Sequence, residues 1–159
     1  MTTEPGPDEL DDQEGYDELT PEELLEQAQV NGQALFLATA HALSDSESAL
    51  ASWRESLAAS YIRGWDLNQE WEPADILFAL ATNYVTFGGR LVEWDYASEV
   101  PFVTIENLPN LDLAVMLGIE PDRMLHLFRI GEDLARRLGG TLAWSRTDDG
   151  PVRLKVSGG

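Results

Sequence analysis

The sequence predicts an α+β fold in which three N-terminal helices, a β-hairpin, two further helices and a second β-hairpin build a four-stranded antiparallel sheet with helices packed on one face. Two observations carry this expectation. Apolar residues recur at helical spacing as far as Gly88-Gly89 and again between Asn110 and Leu138. Between and after those stretches they alternate with a period of two, the signature of strands with one buried face. The alternative is a mainly helical domain ending in a winged helix-turn-helix, because the last helix and hairpin are rich in arginine.

Residues 1–19 combine Pro, Gly, Asp and Glu, and beyond Met1 their larger apolar side chains are Leu10, Tyr16 and Leu19. So little burial does not offset the entropy of ordering, so 1–19 reads as a disordered acidic tail and 20–157 as a single α+β domain. Thr20-Pro21-Glu22-Glu23 has the capping-box arrangement, which starts a helix that runs to about Leu43. Its second half, ALFLATAHAL, is apolar nearly all round and is expected to be buried against several elements.

After Ser44-Asp45-Ser46, Leu50, Trp53, Leu57 and Tyr61 mark a second helix, and Pro73 opens a third that Gly88-Gly89 ends. In RLVEWDY, Val92, Trp94 and Tyr96 are expected on one side of a strand, opposite Glu93 and Asp95. Val103 and Ile105 belong to the next strand, across Ala97-Ser98-Glu99. A short helix from Asn110 stops at Gly118, and a longer one opened by Pro121 ends before Gly139-Gly140. The last hairpin turns at Thr147-Asp148-Asp149-Gly150, with Leu142, Trp144, Val152, Leu154 and Val156 alternating against Arg153 and Lys155.

Charge is unevenly distributed. The chain has a formal net charge of −19, and its first 28 residues hold 11 acidic residues and no Lys or Arg. The stretch from Arg129 onward is slightly basic, with six of the ten basic residues: Arg129, Arg136, Arg137, Arg146, Arg153 and Lys155. Nine Arg to one Lys fits coding from a GC-rich genome, and the acid excess would also suit a salt-loving host.

The absence of cysteine excludes disulfides, thiolate metal sites and a thiol nucleophile, and it fits a cytoplasmic setting. Neither a signal peptide nor a membrane span is legible. With two histidines and no Cys a structural zinc of the usual type is excluded; no metal and no cofactor is expected. His41, alone in an apolar stretch, reads as a core histidine with one satisfied hydrogen bond, and His126 as a solvated one.

Neither glycine pair joins a strand to a helix, so both read as helix caps and not as phosphate loops. Asp75, Glu93, Asp95 and Glu106 could serve an acid-base pair, but no nucleophile elbow or triad accompanies them. Met124, Leu127, Phe128, Leu134 and Leu138 read as the core stripe of an amphipathic helix, which argues against a DNA-reading role for that helix. A −19 protein can meet phosphates only through a segregated basic patch.

Trp94, Tyr96 and Trp144 are expected on one sheet face, and Trp53, Tyr61, Trp65 and Trp71 along the second helix and its exit. Most should be core, with one or two left for an exposed patch or a cavity. The leading expectation is therefore a non-enzymatic cytoplasmic protein. It would bind a protein partner or small ligand through the basic last hairpin (Arg129, Arg136, Arg137, Arg146, Arg153, Lys155) and the aromatics Trp94, Tyr96 and Trp144. A nucleic-acid-associated regulator, its basic face masked by the acidic tail, is the alternative, and an enzyme with a pocket between helices and sheet comes third.

Overall fold

The computed structural model describes residues 19–147 and 150–159. The segment expected to be a disordered acidic arm lies outside the described residues except for Leu19, as do Asp148 and Asp149 of the last turn.

The chain folds as α1 (Pro21–Ala42), α2 (Glu47–Tyr61), α3 (Pro73–Thr86), β1 (Arg90–Asp95), β2 (Phe102–Glu106), α4 (Leu111–Leu117), α5 (Leu125–Arg137), β3 (Gly140–Arg146) and β4 (Val152–Gly158). Single 3₁₀ turns follow α2 at Ile62–Gly64 and precede α5 at Pro121–Met124. The capping box forms as expected: the Thr20 hydroxyl accepts from the Glu23 amide at 3.2 Å, and the Glu23 carboxylate accepts from the Thr20 amide at 2.8 Å. Gly88 follows α3 with φ 89°, where an L side chain would be strained, and Gly139 does the same after α5.

All strand pairs are antiparallel, in the order β1-β2-β4-β3. β4 therefore has hydrogen-bonded neighbours on both edges. The four strands form one antiparallel sheet with helices packed on it, which is the expected α+β fold. Register sets Trp94, Val103, Leu154 and Trp144 side by side on one face, where Val103 and Leu154 are wholly buried. That face meets Ile76, Leu77, Leu80 and Tyr84 of α3 and Phe128, Ile130 and Leu134 of α5 in one continuous core. Burying each such side chain stabilises the fold by roughly 1.5–3 kcal/mol. The expected stripe of the last helix, Met124 to Leu138, is all inside.

Three expectations need correction. α1 buries only Gln33, Phe36, Leu37 and Ala40, while Leu35 is 71% exposed and Ala38 and Ala42 face water. α1 is an outer layer with neighbours on one side, and Ala and Leu favour a helix whether covered or not. His41 accordingly lies exposed, not in the core. In β1 a bulge between Leu91 and Glu93 breaks the simple alternation: Leu91 pairs with Ile105 and turns inward, and Val92 is left exposed. None of the helices among the described residues is long and apolar enough to cross a membrane.

Candidate functional site

At the β1 edge of the sheet three aromatic side chains meet the surface. The α3 stripe Ile76, Leu77, Leu80, Ala81 and Tyr84 takes up the core-facing side, which leaves Phe78 and Val85 pointing away from it. Phe78 is 60% exposed and meets the ring of Tyr96 edge-on, with centroids 5.8 Å apart. Trp94 shares its row with fully buried Val103 and Leu154 but is 57% exposed, because it sits on the edge strand. Asp95 shapes the adjoining turn by accepting from the amides of Ala97 and Ser98 at 2.9 and 3.1 Å. Tyr96 is half-buried, and that burial pushes its hydroxyl above the ordinary tyrosine range. Val92 and Val100, near them in the chain, are also exposed.

Trp144 lies on the same sheet face but at the opposite edge, three strand spacings or about 14 Å from Trp94. Its ring packs on Phe128 at 5.6 Å and its indole N–H donates to Glu132 at 2.7 Å. Trp94 and Tyr96 thus stand two residues apart at one edge of the sheet, and Trp144 is at the other. Phe78 was missed by sequence reasoning, although its position off the α3 stripe was a readable signal. Trp53, Tyr61, Trp65 and Trp71 pack against the core as expected, Trp53 against Phe36 at 4.9 Å.

The C-terminal cations do not form one surface. Arg153 and Lys155 are on the sheet face away from the helices; Arg153 stacks on Phe102 at 3.8 Å and pairs with Glu93 at 3.0 Å. Arg129, Arg136 and Arg137 are exposed on α5, across the sheet, where Arg136 pairs with Asp133. Arg146 pairs with Asp122 of the 3₁₀ turn. Three of the carboxylates considered for catalysis are similarly engaged, Glu93 with Arg153, Glu106 with Arg90 and Asp95 with its turn, while Asp75 lies exposed in the first turn of α3.

His126 is half-buried and not solvated: its Nδ1 lies 3.0 Å from Nη1 of Arg54, whose other nitrogen pairs with Glu47 at 3.1 Å. Because a guanidinium only donates, Nδ1 is the acceptor and the imidazole is held neutral. Burial, then the charges of Arg54 and Arg129, lower its pKa.

A polar groove of about 780 Å³ lies between the Gly88-Gly89 turn, the Asn107–Asp112 loop and the β3–β4 connection. Gln33, 2% exposed, holds two of those segments in place: its amide donates to the carbonyls of Phe87 at 2.7 Å and Asn107 at 3.0 Å and accepts from the Asn110 amide at 2.8 Å. Asn107 has φ 63°, and its side chain donates to the Gly88 carbonyl at 2.8 Å. The groove's cations, Arg90 and Arg146, are the ones already paired with Glu106 and Asp122. Among the described residues no cluster of three or more His, Asp or Glu could hold a metal ion. Comparison with protein families, curated proteins and solved structures finds no match to this chain.

Proposed function

We propose that this chain is a non-enzymatic binding protein whose partner is another protein, held at the aromatic face of Phe78, Trp94 and Tyr96. The observation that carries the reading is the exposure of Trp94, at the end of a row whose central members are wholly buried, two residues before the Tyr96 that exposed Phe78 meets edge-on. Covering an exposed aromatic side chain is worth roughly 1.5–3 kcal/mol, and Trp and Tyr dominate the energetics of many interfaces. Asp75 lies one helical turn from Phe78, and Glu99, three residues beyond Tyr96, is exposed. The complementary partner is an apolar segment flanked by Lys or Arg, which would be drawn to a chain of net charge −19.

The non-enzymatic part of the reading rests on the engagement of Glu93, Asp95 and Glu106, and the cysteine-free composition supports a cytoplasmic setting. Cations divided between two sides of the sheet lend no support to nucleic-acid binding, which needs them on one surface. Selection of random peptides on the full chain tests the proposal. Enriched peptides should carry large apolar side chains between basic residues, and Trp94→Ser or Phe78→Ser should weaken them at least tenfold. Both positions are exposed, so the fold survives; no enrichment, or binding indifferent to both substitutions, overturns the reading.

The polar groove favours a second reading, a small polar ligand, because Gln29, Asn107 and Asn110 line its roughly 780 Å³. A panel of polar metabolites that leaves the thermal midpoint unmoved would remove it.

A further inference from the structure

The solvent side of α1 has a periodicity that its buried side does not require. Leu24, Ala28, Asn31, Leu35, Ala38 and Ala42 follow one another at spacings of four and three, the a/d repeat of a coiled coil, and all six are exposed. Leu24 is 54% and Leu35 71% exposed, although Leu is the residue such a seam would bury. Leu25, which flanks the seam, is 58% exposed. The face that packs on the body, Gln33, Phe36, Leu37 and Ala40, is on the other side of the helix. From Leu24 to Ala42, the seam and the positions flanking it include no Asp, Glu, Lys or Arg; the acids of α1, Glu22, Glu23 and Glu26, stand off it.

We propose that this seam binds a second copy of the chain, with the two α1 helices packed antiparallel. The register follows from the residues themselves. A two-fold axis at the level of Gln33 sets Leu24 of one copy against Ala42 of the other, Ala28 against Ala38, and Asn31 against Leu35. Each such layer joins an a position to a d position, as antiparallel coiled coils require. The outermost layer sets a long side chain against a small one, and the alanine layer inside it lets the backbones approach closely. Self-complementarity about one axis is what a two-fold dimer needs and a different partner does not.

Charge selects both the partner and the orientation. Two chains of −19 repel, so a self-contact must fall where neither brings charge, and the neutral seam is such a place. The first 28 residues hold 11 acids, and parallel packing would set those segments together. Antiparallel packing separates the helix starts by about 36 Å, well beyond the screening length of about 8 Å at physiological salt. The bodies then lie on opposite sides of the helix pair and do not collide. Alanine layers bury little surface and each copy places one Asn in the seam, so the contact is weak, with dissociation in the micromolar range.

Sedimentation equilibrium of the full chain from about 1 to 200 µM, a range that brackets micromolar dissociation, tests the proposal. The apparent mass should rise from 17.6 kDa toward twice that value, at lower concentration when salt is added. Leu35→Glu should hold the chain monomeric throughout while leaving its circular dichroism and thermal midpoint unchanged, because the position is exposed. Since the chain has no cysteine, orientation can be read by oxidation: a mixture of Leu24→Cys and Ala42→Cys chains should form mixed disulfide dimers, and Leu24→Cys alone should not cross-link. A single-chain mass over the whole range, a dimer that survives Leu35→Glu, or efficient cross-linking of Leu24→Cys alone would each overturn it.

Discussion

The Tyr84 hydroxyl is buried without a hydrogen-bond partner among the described residues, and it fills the space that a side chain at Gly131 would need. Burial and the nearby Glu132 carboxylate drive its pKa far above the ordinary tyrosine value, so it stays neutral. Tyr84→Phe removes a desolvated polar group and keeps the ring packed on Phe128, so it should leave stability unchanged or raise it in urea unfolding. Gly131→Ala forces a methyl against that hydroxyl; the clash outweighs the roughly 1 kcal/mol that alanine gains in a helix, for a net loss of about 1–2 kcal/mol. In the Tyr84→Phe background the Gly131→Ala loss should shrink, a coupling that a double-mutant cycle measures directly. The Tyr84 pKa is raised in the folded state, so stability should fall as pH climbs past about 10, where only the unfolded chain ionises. Tyr84→Phe should flatten that decline.

At the scale of elements, Gln33 connects three parts of the chain. It stands on the buried face of α1 and satisfies the carbonyls of Phe87 and Asn107 and the amide of Asn110. Gln33→Leu would nearly keep the volume and strand three backbone groups, costing about 2–4 kcal/mol in chemical denaturation. A loss below about 0.5 kcal/mol would mean that water replaces those contacts. The helix containing Gln33 was legible from its capping box and apolar spacing. The role of the glutamine was not, because its partners lie 54 to 77 residues away. β1 gives the same lesson: alternation revealed the strand, but the bulge that turns Leu91 inward and Val92 outward comes from pairing with β2.

Across the whole molecule, α2 and α5 meet where His126 faces Arg54, Arg123, Arg129 and Glu47. Three of those four neighbours are cationic, and with burial they disfavour a second positive charge on the ring. A histidine with a lowered folded pKa stabilises the fold above its ordinary pKa, and that contribution disappears as pH falls through the folded value. Thermal midpoints should therefore drop between about pH 7 and pH 5, and His126→Gln should remove part of that slope. An identical slope in the variant would show that the ring is solvated. The comparison with the variant is needed because carboxylates of a −19 chain begin to protonate in the same range and relieve repulsion.

The sequence by itself determined the order and kind of the elements, their caps, the four-stranded sheet and the uneven charge, because these follow from local spacing and local hydrogen bonding. It also placed Trp94 and Trp144 on one sheet face, as the register confirms. Only the tertiary structure decided that Trp144 is packed under α5 while Trp94 stands exposed, that Arg153 and Arg136 lie on opposite sides of the sheet, and that an apolar α1 leaves Leu35 uncovered. The physical reason is the same for each: periodicity sets which way a side chain points, but what covers it depends on neighbours brought in from distant parts of the chain.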